Sequence, residues 1–398
     1  MGLTPVSVVV VSRGRAEALS LCLTALGQIH YHPFEIVVVA DPPGCAAARR
    51  HELGDRLKVI PFDRPNIARA RNLGIDAAGG EIVAFIDDDA FAEPGWLIHL
   101  TSVFADPQVA GAGGFVLGRN GFSLQWGARI VSPEGWQHSI ETPVSSFATP
   151  NVPEGAALRT EGTNMAFRRR ALRGLGGFDE AFRYYFDETD LNMRMAKAGL
   201  RIALAPLARV WHRQDASPRR RSGRTPRDLS DIGASTAAFL RRHGHADRFR
   251  GALAAHRNAE RSRLLRHMVR GALMPGDVDD LLGSFDEGVE DGASRPVCLM
   301  ENQDRESVHQ PLRQEATRFE PKVISGWAWE RERLNTSAEA AIDAGNWVHL
   351  LRLTPTTLFH RRSFAAPGIW LQTGGIFGRS ARNTPLWRAS TLNMRAKV

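Results

Sequence analysis

Residues 6–11, VSVVVV, form an unbroken β-branched run, the pattern of a strand buried on both faces. The polar loop SRGR follows, and Leu19, Cys22, Leu23 and Leu26 then fall at helical spacing up to Gly27. FEIVVVA (34–40) predicts a second strand, DPPG its turn and LKVIPF (57–62) a third strand. Asn66 is placed to cap a helix running to about Ala78, which Gly79 and Gly80 end. EIVAFI (81–86) predicts a fourth strand, with Asp87, Asp88 and Asp89 at its carboxyl end. Strand and helix alternate, so the first part of the chain predicts a mostly parallel α/β sheet with helices on both faces.

Further on, the pattern predicts a helix around Trp96–Phe104 and a strand VAGAGGFVLG (109–118). A polar, proline-containing stretch from about Arg119 to Leu158 reads as a long loop or insertion. GTNMAFRR returns to strand character, and DETDLNMRMAKAG (187–199) is a helix with Leu191, Met195 and Ala198 on one face. RIALAP and ARVWH read as closing strands. The arginine block SPRRRSGRTPR (217–227) marks a boundary. Beyond it STAAFLRRH and AERSRLLRHMVRGAL are helical and basic, and FDEGVEDGASRP (285–296) reads as a linker. The last unit reads as strand KVISGWAW, helix RLNTSAEAAIDAG and strand NWVHLLRLTP, a small α/β unit. GGIFGRSAR (374–382) reads as a turn, with phosphate contact as the alternative. The expected division is 1–215, then a basic helical region and linker over 216–295, then 296–398.

Composition narrows the function classes. The 398 residues are 43% hydrophobic and 24% charged, as in ordinary globular proteins. No apolar run is long enough to span a bilayer, and MGLTPVSVVV lacks the basic-then-apolar pattern of a signal peptide. Cys22, Cys45 and Cys298 are odd in number and in no metal-ligand spacing, which fits a reducing, cytoplasmic setting. The net charge of +8 admits nucleic acid, an anionic membrane or phosphorylated small molecules as partners. Arg219, Arg220, Arg221, Arg224 and Arg227 are either a solvated loop or a surface for peripheral contact with anionic lipid.

Adjacent carboxylates at a strand end are explained economically by a divalent cation such as Mg2+ or Mn2+, which prefers oxygen ligands. In an extended segment Asp87 and Asp89 point together and Asp88 away, so one of the pair can hold metal while the other binds a substrate hydroxyl. The carboxyl end of a strand in an open α/β sheet is where ligands bind. Asp187, Glu188 and Asp190 form a second cluster in a first helical turn. Acids there stabilise a helix by themselves, but a carboxylate crowded by others has a raised pKa and suits general-base work on a hydroxyl.

The ordered set VSVVVVSRGR, EIVVVAD, ARARNLGIDAAGGEIVAFIDDDA, GTNMAFRRRALRGLGGFDEAFRYYFDETDLNMRMAKAG and ARVWH resembles the family-2 glycosyltransferases of GT-A fold, over residues 5–213. The resemblance implies inverting transfer from a nucleotide-diphosphate sugar to a glycan or glycolipid hydroxyl, in cell-envelope synthesis. It places Ser12, Arg13, Asp41, Arg71, Asn72, Asp87 and Asp88 around the nucleotide. It places Asp89 and His212 on the metal, and Gly162, Thr163, Asn164 and Asp190 near the sugar and acceptor. DETD takes the place of the family's Glu-Asp-x-Asp, which makes Glu188 the base and leaves Asp187 as the alternative. Two departures stand out: ADPPG replaces the usual Asp-Gly-Ser, and the base is a glutamate. Competing readings are a metal-dependent sugar nucleotidyltransferase, for which SRGR is a faint phosphate loop, a non-catalytic anion-binding scaffold, and nucleic-acid binding through the arginines.

Overall fold

The computed structural model describes residues 3–142, 146–215, 219–221, 223–301, 307–312, 320–380 and 390–396. β1 (Val6–Ser12) is buried along almost its whole length because its alternate valines serve two cores. Val6, Val8 and Val10 face one cluster with α1 (Ala16–Gly27), and Val9 faces the other. β2 (Phe34–Ala40) is entirely buried. The DPPG that follows is a helix start: Asp41 caps α2 (Pro42–Arg50), accepting from Gly44 N at 3.0 Å, with proline in the first turn. An aspartate before two prolines is a helix signal, since proline needs no amide partner there. β3 (Lys58–Pro61) and α3 (Ile67–Ala77) follow, with Asn66 accepting from Arg69 N as expected. β4 (Ile82–Asp87) then delivers the aspartates.

After β4 come β5 (Ala90–Ala92), α4 (Trp96–Ser102) and β6 (Val109–Leu117). The stretch read as a long loop contains β7 (Leu124–Trp126), β8 (Arg129–Val131), β9 (Gln137–Ser139) and β10 (Ala157–Arg159), the last three forming a small antiparallel sheet. Strands this short leave little periodicity to read. β11 (Asn164–Arg168), α5 (Arg169–Gly174), α6 (Asp187–Lys197) and β12 (Arg201–His212) complete the region. RIALAP and ARVWH are one strand, bent where the register shifts between Ala205 and Arg209. The main sheet runs β3-β2-β1-β4-β11-β6-β12-β5, with β7 beside β6. It is mixed: β3, β2, β1 and β4 are parallel, and β11 enters antiparallel between β4 and β6. Helices cover both faces.

The basic region holds the helices α7 (Ser230–His243) and α8 (Phe249–Val269), followed by the acidic α9 (Pro275–Ser294). The supposed linker FDEGVEDGASRP is mostly the second half of α9. Its glycines permit close helix crossing: a Cβ on Gly288 or Gly292 would lie 2.0 Å from the carbonyl oxygen of Ser230 or Ala234 in α7. β13 (Pro321–Trp327), α10 (Arg331–Asp343) and β14 (Trp347–Thr354) form the small α/β unit, joined by β15 (Arg361–Ala365) and β16 (Ile369–Gly375) in the order β13-β14-β16-β15. A short helix α11 (Leu392–Ala396) follows. Gly374 and Gly375 of GGIFGRSAR end β16, and its last two residues lie outside those described. One face of this sheet packs on the main one: Phe364 stacks on Phe91 at 5.5 Å, and Gln28 donates to Gly368 O at 2.7 Å. No helix among the described residues is long and apolar enough to cross a membrane.

Candidate active site

A cleft of about 460 Å3 opens at the carboxyl ends of β1 and β4. Its lining includes Ser12 and Arg13 after β1, Arg71 from α3, Asp87 and Asp89 after β4, Gly162 and Thr163 before β11, Asp187 and Glu188 from α6, and His212 at the end of β12. Asp87, Asp89 and His212 each offer a ligand atom, all within 4.8 Å of one another. His212 Nε2 lies 3.3 Å from Asp89 Oδ1, and its Nδ1 is 3.2 Å from Gln125 Oε1. Gln125 thus orients the ring so that Nε2 faces the carboxylates, the usual support for an imidazole ligand. Two carboxylates and one imidazole suit Mg2+ or Mn2+ as a donor set.

Arg15, at the start of α1, answers the crowding of the aspartates: its guanidinium lies 3.2 Å from Asp88 Oδ2 and 3.0 Å from Asp89 Oδ2. Burial alone would raise the Asp89 carboxyl, but His212 and Arg15 outweigh it and hold it well below the usual range. Asp88 is fully buried, and burial pushes its pKa up to about 7 against the pull of Arg15.

Arg71 joins the two acidic clusters. It bonds Asp187 and lies 3.7 Å from Asp87 Oδ1. It also donates to Gly162 O at 3.2 Å, and a Cβ at Gly162 would sit 2.5 Å from the guanidinium, so a larger residue there would displace Arg71. Burial drives the Asp187 pKa up to about 7, with Arg71 opposing and Glu188 adding to the rise. Glu188 is equally buried, yet Arg159, 2.6 Å away, and Arg71 hold its carboxyl below the ordinary range. Within the pair Asp187 is held above the ordinary carboxyl range and Glu188 below it, so Glu188 ionises the more readily. The turn before it is strained: Tyr185 and Phe186 have φ of 71° and 66°, a region that non-glycine side chains rarely adopt. Packing from α7 secures it, with Phe239 stacked on Phe186 at 4.6 Å and Ser235 Oγ donating to Tyr184 O at 2.7 Å.

Five expected site residues do not line the cleft. Asp41 accepts from Gly14 N and Gly44 N, which fixes the loop after β1. Asn72 clamps Phe178 through both its main-chain groups. Asp88 is spent on Arg15. Asn164 ties Trp96, Phe115 and Ala208 together. Asp190 sits among Arg194, Arg242 and His243. Each is a buried polar group that needs these partners. Conversely Arg15, Trp126, Arg129, Gln137, Arg159 and Glu161 line the cleft without having been anticipated. Arg15 meets Asp88 and Arg159 meets Glu188 across long stretches of chain, and isolated arginines give no local signal. Arg219 and Arg220 of the arginine block also line it, Arg219 bonded to Asp231 and lying 4.4 Å over the Tyr184 ring.

A model of the family described as "Glycosyltransferase like family 2" matches residues 4–228, more than half of the chain. The chain belongs to this family. Every residue lining the cleft, from Val11 to Arg220, falls inside the matched family segment. Among curated family relatives, the chain is 29% identical over 210 residues to the pre-mycofactocin glycosyltransferase of Mycobacterium tuberculosis, covering 52% of this chain and 42% of that protein. It is 29% identical over 258 residues to the O-antigen biosynthesis protein RfbC of Myxococcus xanthus, covering 60% and 19%. The chain thus spans less than half the length of these relatives. Among solved structures, it is similar to the mannosyltransferase PcManGT from Pyrobaculum calidifontis in complex with GDP-Man and Mn2+, at 18% identity and TM-score 0.43, over 72% of this chain and 86% of that one.

Proposed function

We propose that this chain is an inverting glycosyltransferase that moves a sugar from a nucleoside-diphosphate sugar to a hydroxyl of a glycan or glycolipid in cell-envelope synthesis. The carrying observation is the pairing in one cleft of Asp87, Asp89 and His212 with the acid pair Asp187 and Glu188, joined through Arg71. Inverting transfer needs this division: one group to stabilise the leaving diphosphate and a base behind the acceptor hydroxyl. Asp87, Asp89 and His212 would hold a divalent cation, Mg2+ or Mn2+, which when bound supplies Lewis-acid neutralisation of the diphosphate. Ser12, Arg13 and Arg71 bind the nucleotide end, and Gly162 and Thr163 border the sugar. Thr163 donates to Asp87 Oδ2 at 2.6 Å, fixing that carboxylate's orientation.

Glu188 is the more readily ionised member of the acid pair and is the one assigned to take the acceptor proton. Arg159 keeps it ionised, and Asp187 steadies it through their mutual hydrogen bond. Residues 1–215 carry the transfer in this reading. The regions 216–295 and 296–398 support it, the first by bracing the strained turn before Glu188. The envelope setting draws on the similarity to an O-antigen biosynthesis protein. Buried free Cys22 and Cys45 fit a reducing, cytoplasmic side.

The test is a screen of nucleotide sugars for hydrolysis and thermal stabilisation, with and without Mn2+. Stabilisation by at least one donor, strengthened by Mn2+ and lost in Asp89→Asn, is expected. No donor response with either metal would sink the reading.

A further inference from the structure

The small C-terminal sheet has a functional edge of its own. β13, β14 and β16 are parallel, and their carboxyl ends meet at Trp327, Leu353, Thr354 and Gly375. Open α/β sheets bind ligands at this edge. Trp327 and Trp329 stack there at 5.0 Å with ring planes 10° apart, and Trp329 is 67% exposed. Trp329 is turned to solvent and Trp327 is half-buried, and neither belongs to the apolar cluster that α10 forms with the sheet through Leu334 and Val348. Two guanidiniums share the edge. Arg352 lies opposite Gly326 in the strand register, so its side chain leaves the sheet on the α10 face, and Arg331 opens α10. Neither has a carboxylate partner among the described residues. The acid between them, Glu330, is already used: it accepts from Trp327 N at 2.9 Å and from Arg333 at 2.7 Å. Partial burial and the nearby Arg331 both disfavour the Arg352 cation, so an anion there would relieve both.

We propose that this edge binds an anionic glycan, with sugar rings lying on the Trp327–Trp329 stack and a phosphate or carboxylate of the glycan held by Arg331, Arg352 adding positive charge from the α10 face. Pyranose rings present apolar C–H faces to flat aromatic surfaces, and arginine forks match the geometry of both anions. The proposal takes from the proposed function only the class of molecule. A binding assay without nucleotide or metal therefore separates its failure from failure of the transfer reading.

The test is affinity electrophoresis of the full chain through gels containing phosphomannan, polygalacturonate or neutral mannan. Stronger retardation by one or both anionic polymers than by neutral mannan is expected; which of the two identifies the anion. Trp329→Ala and Arg331→Ala, both at exposed positions, should reduce it several-fold. Arg261→Ala, which removes an exposed charge on α8, should leave it as in the wild type. Equal retardation in all three variants would reduce the effect to general basicity and overturn the proposal. So would a dimer in sedimentation that Trp329→Ala dissociates, because the indoles would then serve self-association.

Discussion

The main sheet and the small C-terminal sheet are both built on parallel strands, and each turns its carboxyl edge outward, but they furnish that edge differently. The main one ends in buried charge: Asp88 and Asp89 are 0% and 1% exposed and are compensated by Arg15 and His212. The small one ends in a stacked indole pair, one ring of it exposed, and two guanidiniums with no acid partner among the described residues. A shared fold supplies the place, and the residues at its edge decide the chemistry. Buried acids require compensating groups all around them, so the first edge is tied to strands, helices and distant arginines. The second is tied to little beyond its own sheet.

The largest expected effect bears on the first edge. Glu188→Gln should keep donor binding and lower transfer by ~10²–10⁴-fold, the usual share of a general base; single-turnover kinetics alongside donor titration measure both. Should Asp187→Asn prove the more damaging change, the base lies one residue earlier. Next comes the seam between the two sheets. Phe364, 3% exposed and stacked on Phe91, should cost about 3–5 kcal/mol on Phe364→Ala, read by denaturant unfolding. A second, separate unfolding transition would show that the two sheets are independent bodies. Third, Gln125→Ala frees the His212 ring and should weaken Mn2+ binding by ~10–100-fold, measurable by electron paramagnetic resonance without turnover.

The smallest effect concerns pH. Burial, with Arg362 nearby, lowers the His349 pKa to about 4. The folded chain therefore refuses a proton that the unfolded chain accepts below about pH 6.5. Stability should fall as pH drops from 6.5 towards 4, by at most about 3 kcal/mol. His349→Gln should flatten that slope. A slope unchanged in the variant would place the acid sensitivity elsewhere, for example at His243, His256 or His360, whose pKa values burial also lowers.

The sequence made the first edge legible because strand periodicity and clustered acids are local signals. VSVVVV and EIVAFI announce buried strands, and Asp87 and Asp89 do point together. The compensating arginines were not legible, since Arg15 meets Asp88 and Arg159 meets Glu188 only after the chain has folded. Asn72, Asn164 and Asp190 sit inside the motifs that carry the family resemblance, yet their side chains are spent on holding neighbouring elements in place. The glycines of α9 misled for a related reason. Local composition reads Gly288 and Gly292 as flexibility, whereas the carbonyls of α7 against which they pack show tight contact.

Arg15 also sets how the molecule behaves when no divalent ion is at hand. Its guanidinium already balances Asp88 and Asp89, so Asp89, one of the candidate metal ligands, has a counter-charge built into the chain. A cation held by Asp87, Asp89 and His212 would compete with Arg15 for Asp89, the one carboxylate they share, and its affinity would be a difference between two ways of neutralising that group. If the transfer proposed above runs through a cation at this site, chelation should stop it while leaving the chain folded, and added metal should restore it.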